Sequence, residues 1–206
     1  MDKDKLKEEI EKYLKYYYDV KREFDLYIHI KKNADIYPNE TKQISFFIHT
    51  VLTSLLKNIL LGIAKIIDSR EDKNIYKLLE VCNQNIKIFC EDEKSIKEKN
   101  EKLNIIKSIK EKIDQKQDLI KKLTTYRDKF FAHSDKKYFR NIHRLFKEFK
   151  TTYEDIESIL KLIEGFLNEL LYSLCNTTYV FGNNYKNDYI YILECIKKCR
   201  ENILIK

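Results

Sequence analysis

The chain has 206 residues, 43% of them apolar and 35% charged, with only three glycines and one proline. So small a supply of turn residues excludes a sheet-rich fold and a glycine-rich phosphate loop, and the apolar share excludes a chain disordered throughout. Lysine and arginine exceed aspartate and glutamate by 40 to 33, a net charge of +7, which attracts polyanions without naming one.

The first twenty residues, MDKDKLKEEIEKYLKYYYDV, are charged from the second position and lack the apolar stretch of an export signal. Leu6, Ile10, Tyr13, Tyr17, Val20, Phe24 and Tyr27 recur at steps of four and three, which predicts one apolar stripe on a long first helix. An interruption is expected from Asn33 to Glu40, around Pro38, with Asn39 or Thr41 capping the next helix. The most apolar run, Ile44 to Ile67, carries His49, Lys57, Asn58 and Lys65. Each lysine would cost about 2.5–3.5 kcal/mol at the centre of a bilayer, so a packed helix is expected here and no membrane partner.

Ile75, Leu78 and Leu79 suggest a short helix, followed by a polar stretch from Cys90 to Glu101. A third long helix follows from Leu103, Ile106, Ile109, Ile113, Ile120, Leu123 and Tyr126, weakest at Gln115 to Gln117. Thr151 with Glu154 has capping-box spacing ahead of a fourth apolar face made by Ile156, Ile159, Ile163, Phe166 and Leu170. A loop is marked by Asn176, Thr177, Gly182, Asn183 and Asn184, and Tyr189, Ile192, Leu193, Ile196 and Ile203 suggest a closing helix. The expected fold is all-α, an antiparallel four-helix bundle with additional short and C-terminal helices. It forms a single domain over 1–206, with 183–206 as a candidate C-terminal extension.

One segment concentrates chemistry: Thr125-Tyr-Arg-Asp-Lys-Phe-Phe-Ala-His-Ser-Asp135. Arg127 supplies a permanent planar cation suited to phosphate, and His133 can exchange a proton near neutral pH. Together they are the groups needed to cleave a phosphodiester without a metal. On a straight helix the two would lie about 120° apart and about 9 Å apart along the axis, too far round to converge. Either the helix breaks near Phe131, or a second copy completes the site across a two-fold axis.

Arg127-Asp128-Lys129-Phe130-Phe131-Ala132-His133 resembles the R-x(4–6)-H signature of the HEPN superfamily, and the RDK..AHSD form is similar to its abortive-infection AbiU-type branch. A weaker resemblance extends to Ile63-Ala64-Lys65-Ile66-Ile67-Asp68 and the short helix after it, so that about half the chain, Ile44 to His133, takes part. The resemblance implies a dimeric helical bundle of HEPN type that, in active members, cleaves RNA without metal or cofactor, leaving a 2′,3′-cyclic phosphate and a 5′-hydroxyl. On this chain Arg127 would neutralise the scissile phosphate and His133 would serve as general base or acid. Asp128 would orient one of the two, with Lys129, Asp135 and Asp68 as supporting residues. The implied biology is the toxin or effector of a toxin–antitoxin or phage-defence system, with RNA as substrate, a homodimer as the working form and a cognate antitoxin as partner. In one HEPN toxin branch a modifiable tyrosine stands two residues after the histidine; here that place is Asp135, with Tyr138 further on.

Plainer readings stand beside these. Arg127 could be a surface arginine paired with Asp128 or Asp135, His133 a cap at a helix end, Lys129 a solvated lysine, Asp68 a helix-end carboxylate and Asp135 a turn or capping residue. The rival function is a non-catalytic helical module that binds RNA, a nucleotide or a protein, and a weaker third is a structural interaction protein. Cys82, Cys90, Cys175, Cys195 and Cys199 lack Cys-x-x-Cys spacing, so reduced thiols in a cytoplasmic protein are expected. Cys195 and Cys199, one turn apart, are expected to be small buried hydrophobes. His29, His49 and His143 share no metal-ligand spacing with any cysteine or carboxylate, and no metal site is expected. Tyr16, Tyr17 and Tyr18 are read as packing residues before base-stacking ones, and the lysines between 94 and 122 as a solvated face.

Overall fold

A computed structural model describes residues 1–92, 95–128, 152–180 and 186–204, and in them the chain is all-α. In chain order the helices are α1 (Lys3–Ile36), α2 (Pro38–Gln43), α3 (Ser45–Ile67), α4 (Ile75–Gln84), a 3-10 turn (Ile86–Phe89), α5 (Ile96–Asp114), α6 (Gln117–Arg127), α7 (Tyr153–Cys175) and α8 (Lys186–Leu204). The chain divides into two compact units, one of Met1–Tyr18 with Leu60–Val180, the other of Asp19–Ile59 with Phe181–Lys206.

The stripe expected on α1 is buried along its whole length, from Leu6 to Tyr27. The helix runs further than its sequence suggests. Asn33 does not interrupt it, because its side-chain amide donates to the His29 carbonyl one turn back, at 2.9 Å. The break falls at Tyr37 (φ −120°, ψ 60°), the residue that Pro38 sterically bars from helical angles. Pro38 then opens α2 at its first turn, where a missing N–H costs nothing. Asn39 and Thr41, expected as caps, therefore lie inside α2.

In the first unit α5 packs against α4, the 3-10 turn and α7. The expected third long helix is two helices, α5 and α6, parted at Gln115–Lys116, where the Lys116 N–H turns to the Ile113 carbonyl at 2.9 Å. Both halves keep the apolar face: Ile106, Ile109, Ile113, Ile120, Leu123 and Tyr126 are buried. α7 has the apolar face expected for it, with Ile156, Ile159, Ile163, Phe166 and Leu170 all inside. Its capping box sits one residue later than expected. Thr152 Oγ1 accepts the Asp155 N–H at 3.2 Å and the Asp155 carboxylate accepts the Thr152 N–H at 2.9 Å. The sequence offers Thr-x-x-acid in both registers, and the start of the helix at Tyr153 selects the second. The helix ends on Asn176 in the left-handed region (φ 54°), which asparagine tolerates, with its N–H on the Tyr172 carbonyl.

In the second unit Ile30, Ile48, Tyr189 and Leu193 form the core. The buried Glu40 carboxylate meets Arg200 Nη1 at 3.2 Å, joining α2 to α8. α8 turns Tyr189 and Leu193 inward and leaves Ile192 exposed, contrary to the stripe expected for it. Cys195 is half-buried and Cys199 exposed, so they are not the buried pair expected either. Among the described residues only α3 is long and apolar enough to cross a membrane by length and composition. Its C-terminal residues Leu60, Ile63, Ala64, Ile66 and Ile67 are core residues of the first unit, whereas Phe46 and Phe47 near its start are exposed.

Leu167 on α7 has no exposed surface, so Leu167→Ala is expected to lower the unfolding free energy by about 2–5 kcal/mol. Thr152→Ala, which removes a cap, is expected to cost about 1 kcal/mol. Urea titrations followed by far-ultraviolet circular dichroism measure both.

Candidate functional site

Leu123 and Tyr126 anchor the last turn of α6 in the core, and Arg127 follows them on its flank, 14% exposed in its side chain. Its guanidinium is held on three sides. Nη2 donates to Asp68 Oδ2 at 2.6 Å and to Asp128 Oδ1 at 2.8 Å, Nε donates to the same Asp128 oxygen at 2.9 Å, and Nη1 donates to Glu71 Oε1 at 2.5 Å.

A second arginine completes the cluster. Arg70 Nε lies 3.0 Å from each Asp68 oxygen, and its Nη2 donates to Asp68 Oδ2 at 2.7 Å and to Asp128 Oδ2 at 2.9 Å. Asp68 and Asp128 thus each bridge both guanidiniums, while Glu71 pairs with Arg127. Among the described residues the cluster holds one more carboxylate than guanidinium.

Asp68 stands directly after the C-terminus of α3, where the helix dipole disfavours a negative charge, and it is 4% exposed. Burial pushes its carboxyl up, but hydrogen bonds from the Arg70 side chain and backbone and the charge of Arg127 outweigh this and leave it below its ordinary range. Asp128 is lowered in the same way: burial opposes, and the Arg127 and Arg70 hydrogen bonds prevail. Arg70 is correspondingly raised, chiefly by its hydrogen bonds to Asp68 and then to Asp128.

The turn that carries Asp68, Arg70 and Glu71 is itself pinned by Asn74, which has no exposed surface. Its side-chain oxygen caps α4 by accepting the Lys77 N–H at 3.1 Å, and its amide donates to the Glu71 carbonyl at 2.6 Å and the Ser69 carbonyl at 3.3 Å. Tyr13 of α1 donates to the Asn74 carbonyl at 3.3 Å, and burial, with the nearby Glu9 charge, pushes that phenol up to about 12. The α3–α4 connection is therefore a built platform aimed at the end of α6.

The structure brings together Arg127, Asp128 and Asp68 from the sequence-predicted set. Asp128 and Asp68 both accept hydrogen bonds from the Arg127 guanidinium. Arg127 is not an isolated, solvent-facing cation; it is built into an ion network and contributes to the fold. Lys129, His133 and Asp135, with the expected helix break near Phe131, lie outside the described residues. Arg70, Glu71 and Asn74 escaped the sequence reading. Their signal was faint: a charged pair after a helix-end aspartate, and an asparagine just before the apolar start of α4.

Two cavities flank the platform. One, of about 600 Å³, is lined by Asp68, Arg70, Tyr76, Lys121, Thr125 and Asp128 among others. The other, of about 510 Å³, lies on the α1 side and includes Lys12, Tyr13, Tyr16, Lys65, Glu71 and Lys73.

Comparison with known families settles the kinship that this geometry raises, because the HEPN family model described as AbiU2 matches residues 3–192. The chain belongs to the HEPN AbiU2 family. The match reaches well beyond the half chain that carried the sequence resemblance, taking in α1, α7 and the beginning of α8. No curated protein and no solved structure matches the chain. Membership associates it with abortive infection and places the Arg127 cluster, with the segment through His133, inside the family's matched span.

Asp68→Asn is expected to cost about 1.5–3 kcal/mol at neutral pH, the range for a hydrogen bond to a charged group. A carboxyl lowered in the folded state contributes stability above its unfolded value, near pH 3.9, and loses it as pH falls through the folded value. The wild-type advantage over Asp68→Asn should therefore be full at pH 6 and close below about pH 4, as measured by urea midpoints across that range.

Proposed function

We propose that the chain is a metal-independent endoribonuclease of the HEPN type, the toxin or effector of a toxin–antitoxin or phage-defence system acting by abortive infection. It would work in the cytoplasm as a homodimer in which two copies of the α6 end form one site, restrained by a cognate antitoxin. The observation that carries the reading is the fixed orientation of Arg127, six residues ahead of His133, by carboxylates from a separate, pinned turn. Membership of an abortive-infection family supports it.

The reaction needs no group beyond side chains. A base removes the proton of a ribose 2′-hydroxyl, the oxygen attacks the adjacent phosphorus, and the 5′-oxygen leaves with a proton from an acid. The products are a 2′,3′-cyclic phosphate and a 5′-hydroxyl. Arg127 meets the charge that builds on the non-bridging oxygens through Nη1, the guanidinium nitrogen that Asp68 and Asp128 leave to Glu71. His133 of one copy acts as base and that of the second copy as acid, which meets the need for both roles at one phosphate. Asp128 and Asp68 hold the guanidinium, and Lys129 and Asp135 flank the histidine.

A second reading has its own support: a guanidinium already engaged by three carboxylates suits a non-catalytic module that binds RNA, a nucleotide or a protein. Products separate the two. Purified protein is incubated with single-stranded RNA in EDTA, and cyclic-phosphate ends are scored. His133→Ala is expected to lower cleavage at least about 100-fold, the low end for a proton-transfer group, with an unchanged circular dichroism spectrum. Mixed dimers carrying one His133→Ala copy should lose most activity, and full activity there would contradict a shared site. Binding without cleavage by the wild type would favour the module.

A further inference from the structure

The arrangement around Arg127 contains a contradiction for any anion that approaches it. Nη2 and Nε, the nitrogens facing Asp68 and Asp128, are taken by carboxylates that also hold Arg70, and Asp68 is buried. Displacing either would release two arginines at once and strand a charge in the interior, which is costly. Nη1 differs. Its partner Glu71 is 36% exposed in its side chain and pairs with no other cation in the cluster. The Glu71 backbone is fixed independently of its side chain, by the Asn74 amide on its carbonyl and its own N–H on the Asp68 carbonyl at 3.0 Å. The side chain can leave without disturbing the turn. It also has somewhere to go, since Glu71 lines the α1-side cavity. Lys12, Lys65 and Lys73 stand there beside the carboxylates of Glu9 and Asp72, and Lys12 is paired with Glu9 at 3.2 Å, leaving Lys65 and Lys73 as the cations nearest to hand.

We infer that the Glu71 carboxylate is a built-in competitor for the anion that Arg127 binds, occupying Nη1 at rest and swinging toward the neighbouring lysines when an RNA phosphate takes its place. The inference rests on the proposed reading that Arg127 binds substrate phosphate. Exchange of one carboxylate for one phosphate keeps the charge of the cluster nearly constant, which neither Asp68 nor Asp128 could allow without breaking the bridge to Arg70. Glu71 so sets a threshold: weak or singly charged anions lose the competition, and a polyanion with further contacts elsewhere wins it. It acts through Arg127 and is a positioning residue.

The test is binding of a single-stranded oligoribonucleotide methylated at every 2′-oxygen, which offers no nucleophile and stays intact, read by fluorescence anisotropy at fixed ionic strength. Glu71→Gln should bind about two- to fivefold tighter than wild type, the worth of a partly exposed ion pair. Glu80→Gln, which removes the same charge from the exposed face of α4, should bind like wild type. The gain should vanish in Arg127→Ala, or in Arg127→Gln if the alanine variant does not fold, because the glutamine amide can still donate to Asp68. Equal affinities for Glu71→Gln and wild type, or the same gain in Glu80→Gln, would overturn the inference while leaving Arg127 as the phosphate contact. Wild-type affinity in the Arg127 variants would instead remove the reading on which it rests.

Discussion

Asp68 is the point on which this molecule turns. It is a carboxylate with almost no exposed surface, placed directly after the C-terminus of α3 where the backbone dipole already points negative charge at it. Such a group remains ionised in a folded protein only if cations surround it. Arg70 comes from two residues along the same turn and Arg127 from the far end of α6. The need to neutralise one buried charge thus ties the α3–α4 connection to the helix that leads into the Arg127–His133 segment. Asn74 and Tyr13 secure the other side of the same turn.

On the proposed reading this constraint gives the arginine two duties. Arg127 serves the fold by satisfying Asp68, and it would contact the substrate anion through the part of its fork that Asp68 and Asp128 do not hold. The two duties use different nitrogens, so they need not conflict. A lysine could discharge the first by charge alone and could not present a second face of donors for the other. Among the described residues two aspartates bridge both arginines, and one glutamate covers the Nη1 donor that they leave.

The helical architecture was largely legible in the residues. Stripes at three- and four-residue steps located α1, α4, α5, α6 and α7, and their apolar members are buried as the periodicity requires. Boundaries were less legible, for local reasons. Asn33 bonds back along its own helix, Pro38 acts on the residue before it, and two overlapping Thr-x-x-acid registers compete at the start of α7. At the site, the motif pointed to Arg127 and Asp128, and the family match over residues 3–192 agrees with the kinship that it suggested.

Sequence by itself therefore determined the helical class, the apolar faces and the motif that suggested the family, because periodic burial and the Arg–His spacing are properties of neighbouring residues. Tertiary structure alone decided what surrounds Arg127. Asp68, Arg70 and Glu71 lie more than fifty positions away in the chain and join the cluster only because the turn after α3 is brought to the end of α6. No local pattern announces such a meeting, since a buried carboxylate selects its cations by proximity in space and not by distance along the chain.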